Sequence, residues 1–110
     1  MERWNFLRAE LRDAEAAKNA AHVVQVCDEV LAFSASNPAI GVVDWMFDRR
    51  AAKALAAQGL HAAALSRLGN AIQGCATHRA TKPLSKPDDF ISDLRAMEGL
   101  RARWARKLET

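Results

Sequence analysis

Two pairs of basic residues stand four apart in this chain: Arg8 with Arg12, and Arg49 with Lys53, with Arg50 beside the second pair. Residues four apart share a helix face, so each pair would present two cations to one side. Guanidinium and ammonium groups converging in this way suit a carboxylate or phosphate, which arginine grips with two parallel hydrogen bonds. Arg49, Arg50 and Lys53 are the first candidate contacts, and Arg8 and Arg12 the second. The competing arrangement is a solvated face on which Arg8 and Arg49 lie over Trp4 and Trp45 as intrachain cation–π pairs.

Charge is unevenly spread. Residues 1–48 hold eight acids and four bases, a net of −4. Residues 49–87 hold seven bases (Arg49, Arg50, Lys53, Arg67, Arg79, Lys82, Lys86) and no acid, a net of +7. The remainder balances, and the whole chain is +3. A stretch without carboxylates cannot neutralise its own cations. They must face water, pair with the acidic first half, or attract an anionic partner.

Other chemistry has little footing. His22, His61 and His78 are scattered, and none pairs with a nearby Cys or acid as nucleophile, base and orienter. His61 is expected to cap a helical joint. Cys27 and Cys75 match no metal-ligand spacing and read as small core residues in a reducing cytoplasm. Asp88 and Asp89 are adjacent, point to different sides, and suit a helix start better than a metal. No catalytic residue, metal or cofactor is expected.

These residues need a scaffold, and the composition favours helices. A chain of 110 residues, 50% hydrophobic and 26% charged, fits one globular domain. Alanine is abundant, Tyr is absent, and five Gly with three Pro give little material for turn-rich sheets. No apolar run reaches the ~18 residues of a membrane span. The start, Met-Glu-Arg-Trp-Asn, does not read as a signal peptide, so a cytoplasmic location is expected.

Apolar residues recur at helical spacing in five runs. The first, roughly 2–17, is interrupted at Asn19; the second follows with Val23, Val26, Cys27, Val30 and Phe33 as its stripe and is ended by Ser34, Ser36, Asn37 and Pro38. The third runs from about 40 to 57 and stops at Gly59; the fourth continues to about 76, weakened by Gly69 and Gly74. A loop over 77–87 follows, and then a helix from 88 with Phe90, Leu94, Met97, Leu100, Trp104 and Leu108 as its seam. The expected fold is all-α in one domain. A first antiparallel hairpin spans 1–38 and a second 39–76; the 77–87 loop then leads to a closing helix over 88–110.

The chain also echoes itself at an offset of 41. Trp4, Phe6, Arg8 and Arg12 align with Trp45, Phe47, Arg49 and Lys53, while Val24, Cys27 and Leu31 align with Leu65, Leu68 and Ile72. Within the second hairpin, Ala52, Leu55, Gly59, Ala64, Leu68 and Ala71 fall at the small–large–Gly–small–large–small spacing of the tetratricopeptide (TPR) repeat, which this segment resembles. The first hairpin departs from that pattern, with Lys18-Asn19 where the family has its turn glycine. The resemblance implies right-handed stacked hairpins, a concave groove lined by the first helix of each pair, and a binding role without a catalytic centre. It also places Arg49, Arg50 and Lys53 where carboxylate-clamp TPR domains line that groove.

The segment 54–73 resembles a helix-turn-helix too, with Gly59 at the turn. That alternative makes the chain a DNA-binding regulator whose Ser66, Arg67, Asn70 and Gln73 face the major groove. Ala62 and Ala63 at the head of the would-be recognition helix cannot read bases, which favours the first reading. The expectation is thus an adaptor or chaperone-like module that binds an acidic or carboxylate-bearing protein segment in a basic groove, with no membrane partner. The loop before the closing helix would also allow that helix to exchange with a second copy.

Overall fold

The computed structural model describes residues 2–109, and among these the chain is all-helical with no strand. Helix α1 (Glu2–Ala16) ends where Lys18 takes a left-handed backbone, φ 55°. Asn19 then caps α2 (Ala20–Ser36), its side-chain oxygen accepting the His22 N–H at 3.2 Å. Three residues outside the helices leave the chain no course but to reverse, which makes the first hairpin as expected.

At the next joint the Asn37 side chain donates to Phe33 O at 2.9 Å. Pro38 opens a single 3-10 turn, Pro38–Ile40, and Gly41 closes it at φ 75°. Helix α3 therefore spans Asp44–Ala57 and starts later than the apolar pattern predicted. Val42 and Val43 keep their apolar role without being helical, half-buried against the two halves of the core. Gly59, at φ 78°, turns the chain into α4 (His61–Thr81).

Two boundaries differ from the sequence reading. Residues 77–81 are not loop but the last turns of α4, because no breaker precedes Pro83 and Thr81 Oγ1 bonds back to Thr77 O at 2.7 Å. Gly69 and Gly74 do not end that helix. At the other side, α5 is Ile91–Glu109 and does not begin at 88. Asp88 and Asp89 form a separate turn, and the left-handed Phe90 (φ 67°) breaks the path into the helix. Arg79 fixes that turn by donating to Asp89 O at 2.9 Å and Pro87 O at 3.0 Å. The Phe90 ring is drawn edge-on between Trp45 and His78, at 5.7 and 5.2 Å.

Each helix packs on the next in chain order. Side chains also join alternate helices: Trp4 to Phe47 between α1 and α3, Arg67 to Asp28 between α4 and α2, and Arg49 to Asp93 between α3 and α5. The odd helices thus line one side of the stack and the even helices the other. α3 is shared. One of its faces sends Phe47, Ala51 and Ala54 into a core with Leu7, Leu11, Val26, Cys27 and Val30. Its other face sends Trp45 and Ala52 into a core with Ala64, Leu68, Ala71, Cys75, Met97 and Trp104. α5 folds back on its own α4. No described helix is long and apolar enough to cross a membrane.

Gly74 shows how closely α4 approaches α3. A Cβ there would stand 2.8 Å from the Trp45 Cβ, whereas one at Gly69 would meet nothing within 4 Å. The Trp45 Cβ cannot swing aside without moving backbone. Gly74→Ala is expected to cost about 1–3 kcal/mol despite alanine's better helix propensity. Gly69→Ala should instead stabilise by roughly 0.5–1 kcal/mol. Thermal melts of the two variants check the opposite signs.

Candidate functional site

Three guanidinium groups from two helices surround one groove. Arg8 and Arg12 of α1 and Arg50 of α3 line a cavity of about 510 Å³, together with Asn5, Ala9, Leu11, Glu15 and Phe47. The alternation that buries Leu7 and Leu11 on one side of α1 turns Arg8 and Arg12 to the other. On α3, burial of Phe47, Ala51 and Ala54 toward α1 and α2 leaves Arg50 at the seam.

Two of the three cations are held in place by neighbours. Arg8 Cζ lies 5.7 Å from the Trp4 ring centroid, and Arg50 Cζ lies 5.6 Å from that of Phe47. Arg50 Nε also meets Glu15 Oε2 at 3.4 Å, an exposed pair that ties α3 to α1. Arg12 is exposed at the groove wall. Three arginines against one glutamate leave the groove cationic, over an apolar floor of Leu11 and Phe47.

The five residues singled out from the sequence are not all brought together. Arg49 points away, its Nη1 bonded to Asp93 Oδ1 of α5 at 2.8 Å and its Cζ 5.3 Å from the Trp45 ring centroid. It links α3 to α5, so its place among the groove contacts is corrected. Lys53 is exposed on α3, three residues past Arg50, outside the groove lining. The matched pairing of Arg8 with Trp4 and of Arg49 with Trp45 is the arrangement set against the groove in the sequence reading, and here both coexist.

The helix-turn-helix candidates separate as well. Ser66, Asn70 and Gln73 are exposed on α4. Arg67 is not. Its side chain is 18% exposed, with Nη1 bonded to Asp28 Oδ1 of α2 at 2.8 Å and Nε to Asp48 Oδ1 of α3 at 2.9 Å. Burial works against its charge, but the hydrogen bonds it donates to Asp48 and Asp28, with the attraction of those two carboxylates, outweigh that and raise its pKa. A base-reading role for Arg67 is therefore corrected to a clamp across three helices. Asn70 and Gln73 line a different groove with Ser34, Pro38, Val42 and Thr77.

His61 does not cap the joint with its side chain: it is the first residue of α4, and its Nδ1 is buried with no hydrogen-bond partner. His22 Nε2 lies 3.0 Å from Glu10 Oε1. Cys27 and Cys75 are both free thiols within the core. Sequence reasoning missed Asn5, Glu15 and Phe47 as groove residues, although Glu15 continues the Arg8–Arg12 spacing by one more turn. It also left open where the uncompensated cations go. Comparison with protein-family models, with curated proteins and with solved structures finds no match.

Removing the Arg67 side chain strands the carboxylate of Asp48, which is itself 16% exposed. Arg67→Ala is expected to destabilise the fold by about 2–3 kcal/mol. Asp28→Asn should cost less than about 1 kcal/mol, since that carboxylate is mostly in water. Urea denaturation of each variant checks the ranking.

Burial pushes the Cys27 thiol up from its ordinary 9.0 to about 12, despite the opposing pull of Arg67 and Arg50. The folded-state value lies above the unfolded one. The stability owed to the neutral thiol is therefore complete below pH ~9 and is lost as pH climbs toward 12. Melting temperature should fall over that alkaline range, and Cys27→Ala should flatten the fall. Native protein at pH 8 should also resist a thiol-specific disulfide reagent that labels Cys27 after unfolding.

Proposed function

We propose that this chain is a non-enzymatic interaction module, adaptor or chaperone-like in character, that binds an acidic or carboxylate-bearing protein segment in the groove between α1 and α3. Arg8, Arg12 and Arg50 contact the anion, and Lys53 extends the positive face along α3. The observation that carries this reading is the convergence of those three guanidinium groups on one cavity of about 510 Å³. The TPR-like spacing of the second hairpin supports it, because stacked hairpins of that kind line a groove with their first helices, here α1 and α3.

The physics sets the strength. An exposed arginine–carboxylate pair contributes only about 0.2–1 kcal/mol. Three cations around one site contribute more when two are already held by aromatic rings, since less side-chain freedom is lost on binding. The module therefore binds weakly, with a Kd of about 10–100 µM, and the affinity falls with salt. With Arg67 turned inward, duplex DNA has no comparable site.

A fluorescein-labelled peptide of alternating Glu and Leu with a free C-terminus is a suitable probe, read by fluorescence anisotropy. Wild type should bind it, and Arg12→Glu combined with Arg8→Gln should weaken binding at least about tenfold with the circular dichroism spectrum unchanged. Arg101→Glu, on α5 away from the groove, should have no effect. Equal binding by the double variant, no binding by wild type up to about 1 mM, or tighter binding of a 20-base-pair duplex would each overturn the proposal.

A further inference from the structure

The two ends of the stack carry matching stripes. On α1, Glu2, Phe6, Ala9 and Asp13 follow one another at steps of four, three and four; on α5, Arg95, Gly99, Ala102 and Arg106 follow at the same steps. This spacing keeps each set on one helix face. Neither face packs on another helix. Glu2, Phe6 and Asp13 are exposed and Ala9 half-buried, while Arg95, Gly99, Ala102 and Arg106 are all exposed. Both cores draw on the opposite sides of these helices, through Leu7, Leu11 and Ala14 on α1 and Met97 and Trp104 on α5.

Phe6 is the key observation. It aligns with Phe47 at the 41-residue offset. Phe47 is 9% exposed and packs edge-on against Trp4 of the neighbouring odd helix, 5.9 Å between centroids. Phe6 is 57% exposed because no described helix packs on that face of α1. Arg3 lies over its ring at 5.5 Å, and a mainly apolar groove lined by Phe6, Ala9, Ala14 and Ala17 runs beside it. A residue type that is core at the equivalent place on α3 is thus exposed on this face of α1, between two acids.

We propose that this face receives the α5 face of a second copy of the chain, so that copies associate head to tail. Glu2 and Asp13 pair with Arg95 and Arg106, whose separation along a helix is the same. The Phe6 ring seats over Gly99 and Ala102, the two small residues between those arginines, where no larger side chain obstructs it. Charge selects the partner: the charged residues of the α1 stripe are both acids, with Arg3 and Glu10 on its flanks, and those of the α5 stripe both arginines, with Glu98 and Arg103 on its flanks. An α1–α1 or α5–α5 pairing would set like charges against each other. Because the two surfaces differ, the contact does not close at a dimer and builds longer species as concentration rises.

Sedimentation velocity of the full chain at low salt should give a concentration-dependent series running past dimer, collapsing toward monomer in about 0.5 M NaCl. Glu2→Arg with Asp13→Arg, and separately Arg95→Glu with Arg106→Glu, should each weaken association at least about tenfold while remaining helical. Mixing the two variants should restore it, as should combining all four changes in one chain. Phe6→Asn, which leaves the charges intact, should also weaken it. A wild type that stays monomeric up to about 1 mM would overturn the proposal. So would a species that stops at dimer, or one indifferent to the α5 changes. The groove between α1 and α3 is not involved, so peptide capture and self-association succeed or fail separately.

Discussion

Arg67 sits where α2, α3 and α4 meet, with one guanidinium nitrogen on Asp28 and another on Asp48. The contact ties α4 to α2 and adds to the core that α3 shares with α1 and α2, which holds the second hairpin against the first. It draws on the charge imbalance directly: a cation from the carboxylate-free middle of the chain meets two carboxylates from the acidic first half. Partial burial makes the arrangement demanding, because a lone guanidinium there would be poorly solvated and so would a lone Asp48. The charge imbalance of the sequence is thus partly resolved within the fold itself.

The groove follows from that closure. With the hairpins clamped, α3 lies beside α1, the Phe47 ring meets Trp4, and Arg50 reaches Glu15. Arg8 and Arg12 then face Arg50 across a cavity whose polar walls rest on a buried apolar floor. Repulsion among three cations is offset by Glu15 and by the negative faces of two aromatic rings. Gly74 acts on the other side of α3, letting α4 come close to the backbone at the buried Trp45.

The five helices were legible in the sequence because their apolar spacing is regular and because Asn19, Pro38 and Gly59 punctuate it. Boundaries set by polar composition were not. Thr77, His78 and Thr81 look like loop residues, yet a helix already under way continues through them until proline removes the next donor. The start of α5 depends on Arg79 holding two carbonyls and on a ring wedged between Trp45 and His78, contacts between distant parts of the chain that no local pattern records. In the site, Arg8, Arg12 and Arg50 were legible as cations on helix faces. Spacing alone does not choose between neighbouring arginines: Arg49 and Arg50 are adjacent, and only the packing of α5 sends the first to Asp93 and leaves the second at the groove.

Nuclear magnetic resonance observes that choice directly. In a titration of the isotope-labelled chain with an acidic peptide, the arginine Nε–H and backbone amide signals show which cations meet the carboxylates. Shifts confined to residues 5–15 and 47–53, with the Arg8, Arg12 and Arg50 side chains moving most and Arg49 and Arg67 unmoved, are the expected result. Shifts centred on Ser66, Asn70 and Gln73, or spread evenly over every exposed base, would contradict a built anion groove between α1 and α3.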